Sequence, residues 1–234
     1  MLLSLFNNQT LRDNRLEYTH YPRGLMYTPN AFKLDDFDAI VDFMRGNSFA
    51  TLVSTLDGAP FATHLPLVVR AAAGAVTLVG HLAKANPHWK AFAGGDSLAI
   101  FSGPHAYVSP TLYEERQSVP TWNYIAVHAY GVPQPLSADA TRAALEGAME
   151  EMIAAYEPSY QAQWDSLSER YREGMLRGVV GFTIAVTRLE GKAKLSQNRS
   201  AVDQHSVAEA LRASDDPAER ATGAAMGEQR DGAQ

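Results

Sequence analysis

The sequence predicts a mainly β protein of the α+β class, built as an antiparallel barrel with helices at its ends. Stretches rich in β-branched and aromatic residues recur at short spacing and are separated by turn residues. Only a few segments with helical periodicity interrupt them. The chain has no internal repeat and no glycine-rich phosphate-binding motif of the P-loop or dinucleotide-binding type. Together these features favour an antiparallel barrel over a parallel α/β sheet.

The predicted elements begin with a short amphipathic helix over residues 35–45. Phe37, Ile40 and Met44 share one helical face there, after an acidic first turn. Two strands around an Asp57-Gly58 hairpin turn follow, and a third strand after a second turn extends them into a meander. Strands are predicted over residues 48–55, 60–69, 75–82, 96–103, 119–131 and 179–196.

Further helices are predicted from capping residues. Asn86 is a suitable N-cap and Pro87 suits the first helical position, so a short helix should follow the third strand. A longer helix is predicted over residues 137–156, with Ser137 or Asp139 as its cap, and a shorter one over residues 168–176.

The same patterns predict the domain organisation. Residues 1–25 lack clear periodicity and Met26 opens the first patterned stretch, so residues 1–25 are interpreted as an N-terminal extension. Residues 26–212 are predicted to form a single domain. Residues 213–234 consist mainly of Ala, Gly and charged residues with little to bury, and are predicted to be a disordered tail.

Composition narrows the functional classes. The net charge of −6, from 20 Lys and Arg against 26 Asp and Glu, provides no overall attraction to nucleic acid. The absence of cysteine excludes disulfides and thiol nucleophiles and is compatible with a reducing cytosol. No signal peptide pattern is present, and no segment reaches the roughly 20 apolar residues that span a bilayer. We expect a cytoplasmic protein without a membrane anchor.

Metal and hydrolytic chemistry have little support in the sequence. The seven histidines are scattered, without an HExxH motif or a closely spaced pair, so no metal site is predicted. The GxSxG motif of serine hydrolases is also absent, so hydrolysis is not indicated.

Three stretches place polar groups at the ends of predicted strands: residues 62–67, 80–89 and 194–199. In the second stretch, Lys84 and the helix capped by Asn86 could hold an anion between an ammonium and backbone N–H groups. The alternative is a solvated lysine and a simple helix cap. In the first stretch, Thr63 and His64 face opposite sides of a strand, so at most one of them lines a common pocket.

The third stretch is a small basic cluster. Lys194 and Arg199, together with the preceding Lys192, supply the charge, and the hydrogen-bonding side chains of Ser196, Gln197 and Asn198 lie between them. The cluster suits a phosphate or a carbonyl-rich ring, and a solvated surface is the alternative.

The strand over residues 119–131 has an aromatic face with polar tips. Trp122, Tyr124, His128 and Tyr130 lie on this face, while Asn123 belongs to the opposite one. The aromatic face suits a dimer interface or the wall beside a flat ligand, and a structural core is an equally good interpretation.

Six blocks of the sequence form a recognisable set, and they are MYTPNAF (26–32), ATHLPL (62–67), GHLAKANPHWK (80–90), FSGPHAYVSP (101–110), VPTWNYIAVHAYG (119–131) and KLSQNR (194–199). Together they resemble the FMN-binding negative transcriptional regulator family, also called PaiB. The resemblance covers nearly all of residues 26–212. It implies a flavin split barrel, related in fold to pyridoxamine phosphate oxidase, that forms homodimers with FMN at the subunit interface.

The resemblance also implies which residues contact FMN. The strand over residues 62–67 would line the flavin ring, and the strand-to-helix turn within residues 80–87 would hold the phosphate. The strand over residues 119–131 and the stretch 194–199 would complete the site. Ala83 precedes Lys84 where relatives usually have a hydroxyl, which points to weaker or shared phosphate binding. The residues expected at the cofactor are Thr63, His64, Leu65, Pro66, His81, Lys84, Asn86, Trp122, Asn123, Lys194, Ser196, Gln197, Asn198 and Arg199.

The expected function is negative regulation of transcription by an FMN-binding protein, acting on genes directly or indirectly. Direct DNA binding has no support from the charge, and no helix-turn-helix, zinc finger or basic arm is evident. One alternative is an FMN-dependent oxidoreductase, in which His64, His81 or His128 would tune protonation near the ring. Others are a cofactor-free split barrel and a haem-binding one.

Overall fold

The computed structural model describes residues 26–231. Within them the strands are β1 (Lys33–Leu34), β2 (Phe49–Leu56), β3 (Ala59–Pro66), β4 (Val68–Ala72), β5 (Ala75–Ala83), β6 (Ser97–Val108), β7 (Thr121–Gly131), β8 (Pro133–Pro135), β9 (Val179–Ala185) and β10 (Arg188–Lys194). The helices are α1 (Phe37–Gly46), α2 (Ala138–Tyr156), α3 (Gln161–Ser166), α4 (Glu169–Leu176), α5 (Ala201–Arg212) and α6 (Pro217–Asp231). Short 3-10 helices span Asn30–Phe32, Pro87–Gly94, Pro110–Leu112 and Pro158–Tyr160.

The strands form two antiparallel sheets. The six-stranded sheet has the order β1-β10-β7-β6-β2-β3, and the four-stranded sheet has the order β4-β5-β9-β8. All pairings within them are antiparallel. The predicted class, mainly β and antiparallel with peripheral helices, is confirmed.

The main core lies between the two sheets. Leu52, Phe101 and Val127 come from the six-stranded sheet and are 0% exposed, while Leu78 and Ile184 from the four-stranded sheet are at most 1% exposed. Each such side chain contributes roughly 1.5–3 kcal/mol by its burial. The core therefore joins the two sheets into one folded unit.

Two predicted strands each divide between the sheets. The predicted strand 60–69 becomes β3 and β4, because the chain leaves the six-stranded sheet at the buried Leu67 and enters the other sheet. The predicted strand 179–196 likewise becomes β9 and β10. At that corner the Val186 N–H donates to Val76 O and the Thr187 N–H to Tyr130 O, one acceptor in each sheet. The predicted meander is therefore wrong, because β3 and β4 belong to different sheets.

Local signals place several boundaries correctly. Asp57 and Gly58 have φ angles of 53° and 78°, which is the left-handed turn that their sequence predicts. Asp36 caps α1 by accepting a hydrogen bond from the Ala39 N–H at 2.7 Å. Ser137 provides the cap of α2, since its Oγ accepts from the Ala140 N–H.

Helices α5 and α6 form a hairpin that packs on the six-stranded sheet. Met226 of α6 is 5% exposed and contacts a second apolar core that contains Val207 and Leu211 of α5. Gly223 permits close packing, because a Cβ there would lie 2.9 Å from Ala208 O. The prediction of a disordered tail from residue 213 is therefore wrong for α6: its small residues serve a close helix contact. Helix α5 was not predicted, and the extension proposed for residues 1–25 lies outside the described residues.

Among residues 26–231, no helix is long and apolar enough to cross a bilayer.

Candidate functional site

A chain of buried polar side chains connects β3, β2 and β6 through the imidazole of His88. His88 Nδ1 lies 2.8 Å from Thr63 Oγ1, and His88 Nε2 lies 2.8 Å from Ser54 Oγ. Ser54 Oγ in turn lies 2.5 Å from Ser97 Oγ. The His88 side chain is 0% exposed. Each polar group in this chain thus has a partner, as burial requires.

The helix cap at Asn86 holds this chain in place. The Asn86 Oδ1 accepts from the His88 N–H at 3.0 Å, and the Asn86 Nδ2 donates to Thr63 Oγ1 at 3.1 Å. Pro87 at the first position of the 3-10 helix suits this geometry. The predicted cap is confirmed, and it also fixes the Thr63 hydroxyl.

Burial lowers the pKa of His88 below its ordinary value of 6.5, so the ring is neutral at pH 7. A neutral imidazole donates through one nitrogen and accepts through the other. When Nδ1 carries the proton, Thr63 Oγ1 accepts from both His88 and Asn86. Its own O–H is then available to donate to an anion.

Lys84 supplies a positive charge two residues before Asn86. Its side chain is exposed, and no described acidic residue forms an ion pair with it. Its backbone is fixed, because the N–H donates to Gly178 O and the carbonyl accepts from Trp89 Nε1. An exposed ammonium on a fixed turn is a suitable group for a phosphate.

The other residues predicted on β3 point in different directions. His64 is exposed on the outer face of the six-stranded sheet, while Thr63 faces inward, as strand alternation predicts. The Leu65 side chain is 4% exposed and belongs to the main core. Pro66 lines a surface cavity of about 210 Å³ together with Arg45, Ser48 and Tyr156.

A second group lies at the other side of the six-stranded sheet, on β10 and the turn after it. The Lys192 side chain is 7% exposed and its Nζ donates to Tyr27 O at 2.8 Å. Lys194 Nζ donates to Trp122 O and Thr121 Oγ1. The pKa of Lys194 is lowered, first by burial and then by the positive charges of Lys192 and Arg199. This accumulation of positive charge favours an anion nearby.

Within this group, the amides of Asn123 and Gln197 are used inside the fold. Asn123 is 0% exposed and its Nδ2 donates to Ser196 Oγ at 2.9 Å. Gln197 Nε2 donates to Ala193 O, and its Oε1 accepts from the Leu195 N–H. Asn198 is exposed. These contacts give Asn123, Ser196 and Gln197 a structural role.

Trp122 and Asn123 were expected to lie together beside the flavin, but their side chains are on opposite faces of β7. Trp122 is 53% exposed on the outer face, 6.1 Å from the ring of Tyr107 and 6.0 Å from that of His105. Of these two residues, only Trp122 can therefore contact a ligand on the outer face.

The outer face of the six-stranded sheet is continuous between the two groups. His64, Thr51, Ile100, His128 and Glu190 are successive partners across β3, β2, β6, β7 and β10. Four strand spacings separate the ends of this row, roughly 19 Å. Lys194 lies four residues further along β10, roughly another 13 Å. Thr63 on β3 and Lys194 on β10 therefore do not line one pocket within a chain.

His81 lies away from both groups. It faces the helices that cover the four-stranded sheet, and it lines a cavity with α2 and α4. Burial lowers the pKa of its imidazole. The structure thus does not bring His81 together with Thr63 and Asn86.

Three residues of the buried chain, Ser54, His88 and Ser97, were not predicted at the site. Ser54 occupies an inward position between apolar neighbours on β2. A polar residue there requires a buried partner, and this is the signal that could have identified it. Among residues 26–231, no group of three or more His, Cys, Asp and Glu side chains could hold a metal.

Sequence comparisons find a family and a bacterial relative. The model of a family described as "Putative FMN-binding domain" matches residues 26–188. The chain is 41% identical over 195 residues to "Protease synthase and sporulation protein PAI 2" of Bacillus subtilis strain 168. That match covers 82% of this chain and 92% of the relative.

Solved structures share the fold at low sequence identity. The FAD and haem binding protein from Mycobacterium smegmatis has a TM-score of 0.53 and 16% identity, covering 74% of this chain and 78% of that one. The flavocytochrome Anf3 from Azotobacter vinelandii has a TM-score of 0.54 and 13% identity, covering 69% of each chain. At this identity the likeness concerns the fold alone, and it confirms the predicted split barrel.

Proposed function

The chain belongs to the FMN-binding family whose model matches residues 26–188, and from this membership we propose that it is a cytoplasmic homodimer that holds FMN between its subunits and represses transcription indirectly. The cofactor is FMN. The bound flavin would supply hydride or electron transfer. The chain's own residues would bind the phosphate, orient the ring and exclude water.

The residues present fit FMN in charge and shape. Lys84 and the Thr63 hydroxyl offer an ammonium and a hydrogen bond to a phosphate. The exposed indole of Trp122 offers a flat apolar surface to a ring. Lys194 and Arg199 add positive charge without a described acidic partner.

The separation of the two groups is the observation that carries the dimer proposal. Thr63 on β3 and Lys194 on β10 lie near opposite edges of the six-stranded sheet, yet the resemblance assigns both to one cofactor. A two-fold axis along the strands would place β10 of one subunit opposite β3 of the other. The outer face between them carries half-buried apolar side chains, including Val53 and Ile100, which such a contact would cover.

A complementation experiment tests this arrangement. We expect Lys84→Ala and the double variant Lys194→Ala/Arg199→Ala each to lose FMN as homodimers. In a heterodimer of the two variants, one site keeps Lys84, Lys194 and Arg199. The other site lacks all three. The heterodimer should therefore bind one FMN per dimer, measured by flavin absorbance after purification through two different tags. No FMN in the heterodimer would mean that each site uses one chain, and the shared site would be refuted.

Indirect regulation is proposed because the α5–α6 hairpin is unsuited to DNA. It consists of two helices joined by a turn, as in many DNA-binding domains, but residues 201–231 contain seven Asp and Glu against three Arg. Such a surface repels phosphate. The regulatory role itself is supported by the 41% identity to a protein named for sporulation.

A transcript comparison tests the regulatory half. A deletion strain should express a set of genes more strongly, and a strain carrying Lys84→Ala should match the deletion if FMN is required. Purified FMN-loaded protein should not shift the promoter fragments of these genes even at low salt, where non-specific attraction is strongest. A specific shift would refute the indirect route, and an unchanged transcript set in the deletion strain would refute regulation.

A further inference from the structure

Helices α2, α3 and α4 cover the outer side of the four-stranded sheet and leave a cavity of about 300 Å³ beneath them. This volume lies at the lower limit of small-molecule sites. The lining is mainly apolar and aromatic, with one cation, Arg172, and one anion, Glu146, whose carboxylate is already paired with Arg142 at 3.3 Å. Representative lining residues are His81, Ala148, Met149, Trp164, Arg172 and Met175.

The α4 side of this cavity is thinly packed. Helix α4 contains no buried residue, and its Tyr171 and Met175 are 55% and 60% exposed although both line the cavity. Large apolar side chains around an open cavity mark a binding surface more often than a finished core. A ligand here would cover both side chains and tighten the contact between α4 and α2.

Arg172 indicates which chemistry the cavity accepts. Its Nε is buried, and no described residue accepts a hydrogen bond from it. Its guanidinium carbon lies 5.9 Å from the centre of the Trp164 ring. A buried guanidinium donor needs an acceptor, and a carboxylate is the group that matches its geometry.

We propose that this cavity binds a small molecule with an aromatic or branched apolar body and one carboxylate, which Arg172 holds. The neutral imidazole of His81 forms part of the opposite wall and can donate one further hydrogen bond. Lys84 follows β5 of the same four-stranded sheet, but Thr63, Lys84, Trp122 and Lys194 do not line the cavity. The site is therefore separate from the proposed flavin site.

Titration of FMN-loaded protein with 4-phenylbutyrate and with the matched neutral alcohol, 4-phenylbutan-1-ol, tests the proposal. Tryptophan fluorescence reports binding through Trp164, and the signal should disappear in Trp164→Phe. We expect the acid to bind more tightly than the alcohol. Arg172→Gln should weaken the binding of the acid by about tenfold or more and leave the affinity for the alcohol unchanged. Arg170→Gln, on the same helix with an exposed side chain, is the matched control and should change neither.

Occlusion of the cavity gives a second test. Ala148→Phe should prevent both compounds from binding, and Met149→Trp replaces it if that variant does not fold. Binding that survives occlusion, or that Arg172→Gln and Arg170→Gln weaken equally, would overturn the proposal. Displacement of the acid by added FMN would assign the cavity to the flavin and overturn the separate site. The absence of any binding to wild-type protein would overturn it as well.

Discussion

Replacement of His88 by leucine tests the buried hydrogen-bond chain behind Thr63. Leucine loses both ring hydrogen bonds, to Thr63 and to Ser54, each of which contributes roughly 0.5–1.5 kcal/mol. It keeps most of the apolar contact with Phe61 and Phe92, whose ring centres lie 5.2 and 5.9 Å from the imidazole. We expect a loss of about 2–3 kcal/mol in the free energy of unfolding at pH 8.

The two hydroxyls that His88 contacts do not lose their last partner in this variant. Ser54 keeps the hydrogen bond to Ser97, and Thr63 keeps the one from Asn86. The variant therefore avoids the larger penalty of leaving a buried polar group unpaired. This is why the expected loss is moderate and the protein should remain folded.

The pH dependence gives the sharper result. Burial lowers the pKa of folded His88 below 6.5, so the unfolded chain binds a proton there that the folded protein does not. The neutral ring makes its full contribution to the free energy of unfolding above pH 6.5. This contribution falls as the pH drops below 6.5, by up to about 1.4 kcal/mol per pH unit. The variant lacks this loss. Its deficit relative to wild type should therefore shrink between about pH 7 and 5.

Urea unfolding followed by circular dichroism, in steps from about pH 8 to 5, measures both effects. His64→Leu is the matched control, because His64 is exposed and should change stability by less than roughly 0.5 kcal/mol. If the stability deficit of the variant stays constant with pH, His88 has the same pKa in the folded and unfolded states. A deficit that grows on acidification would mean a charged imidazole in the fold. Either result would refute the neutral hydrogen-bond chain.

Three further predictions follow from other parts of the fold. Ile100→Arg places a charge at the centre of the outer face and should give a monomer by light scattering; an unchanged dimer would exclude that face as the interface. Met226→Ala should lower the free energy of unfolding, measured in urea, by about 2–3 kcal/mol because Met226 is buried. If the tail were disordered, this substitution would cause no loss of stability. Gln229→Ala is the control and should change stability little, because Gln229 is exposed. Burial lowers the pKa of Lys194 below its ordinary value of 10.5, so its ammonium is lost before the pH reaches that value. FMN affinity, measured by fluorescence quenching, should therefore fall as the pH rises toward 10.5, and less so in Lys194→Met. Equal slopes in the two proteins would exclude Lys194 from the anion site.

Short-range signals in the sequence predicted much of the fold. The acidic cap of α1, the Asp57-Gly58 turn and the Asn86-Pro87 helix start each depend on residues within a few positions of one another. The two faces of β7 also follow directly from alternation. The family was predictable as well, because its motifs are contiguous blocks. Helix α6 was missed because its small residues, such as Gly223, look like disorder until a partner helix lies against them.

The sequence by itself thus determined the fold class, the family, and several local turns and helix caps. Only the tertiary structure decided where the strands at Leu67 and Val186 change sheets, and which polar side chains meet inside. His88 contacts Ser54 across 34 positions of the chain, and Thr63 and Lys194 lie near opposite edges of the six-stranded sheet. These relations depend on strand order and on the burial of apolar surface between the sheets, and neither property is encoded in any local stretch of residues.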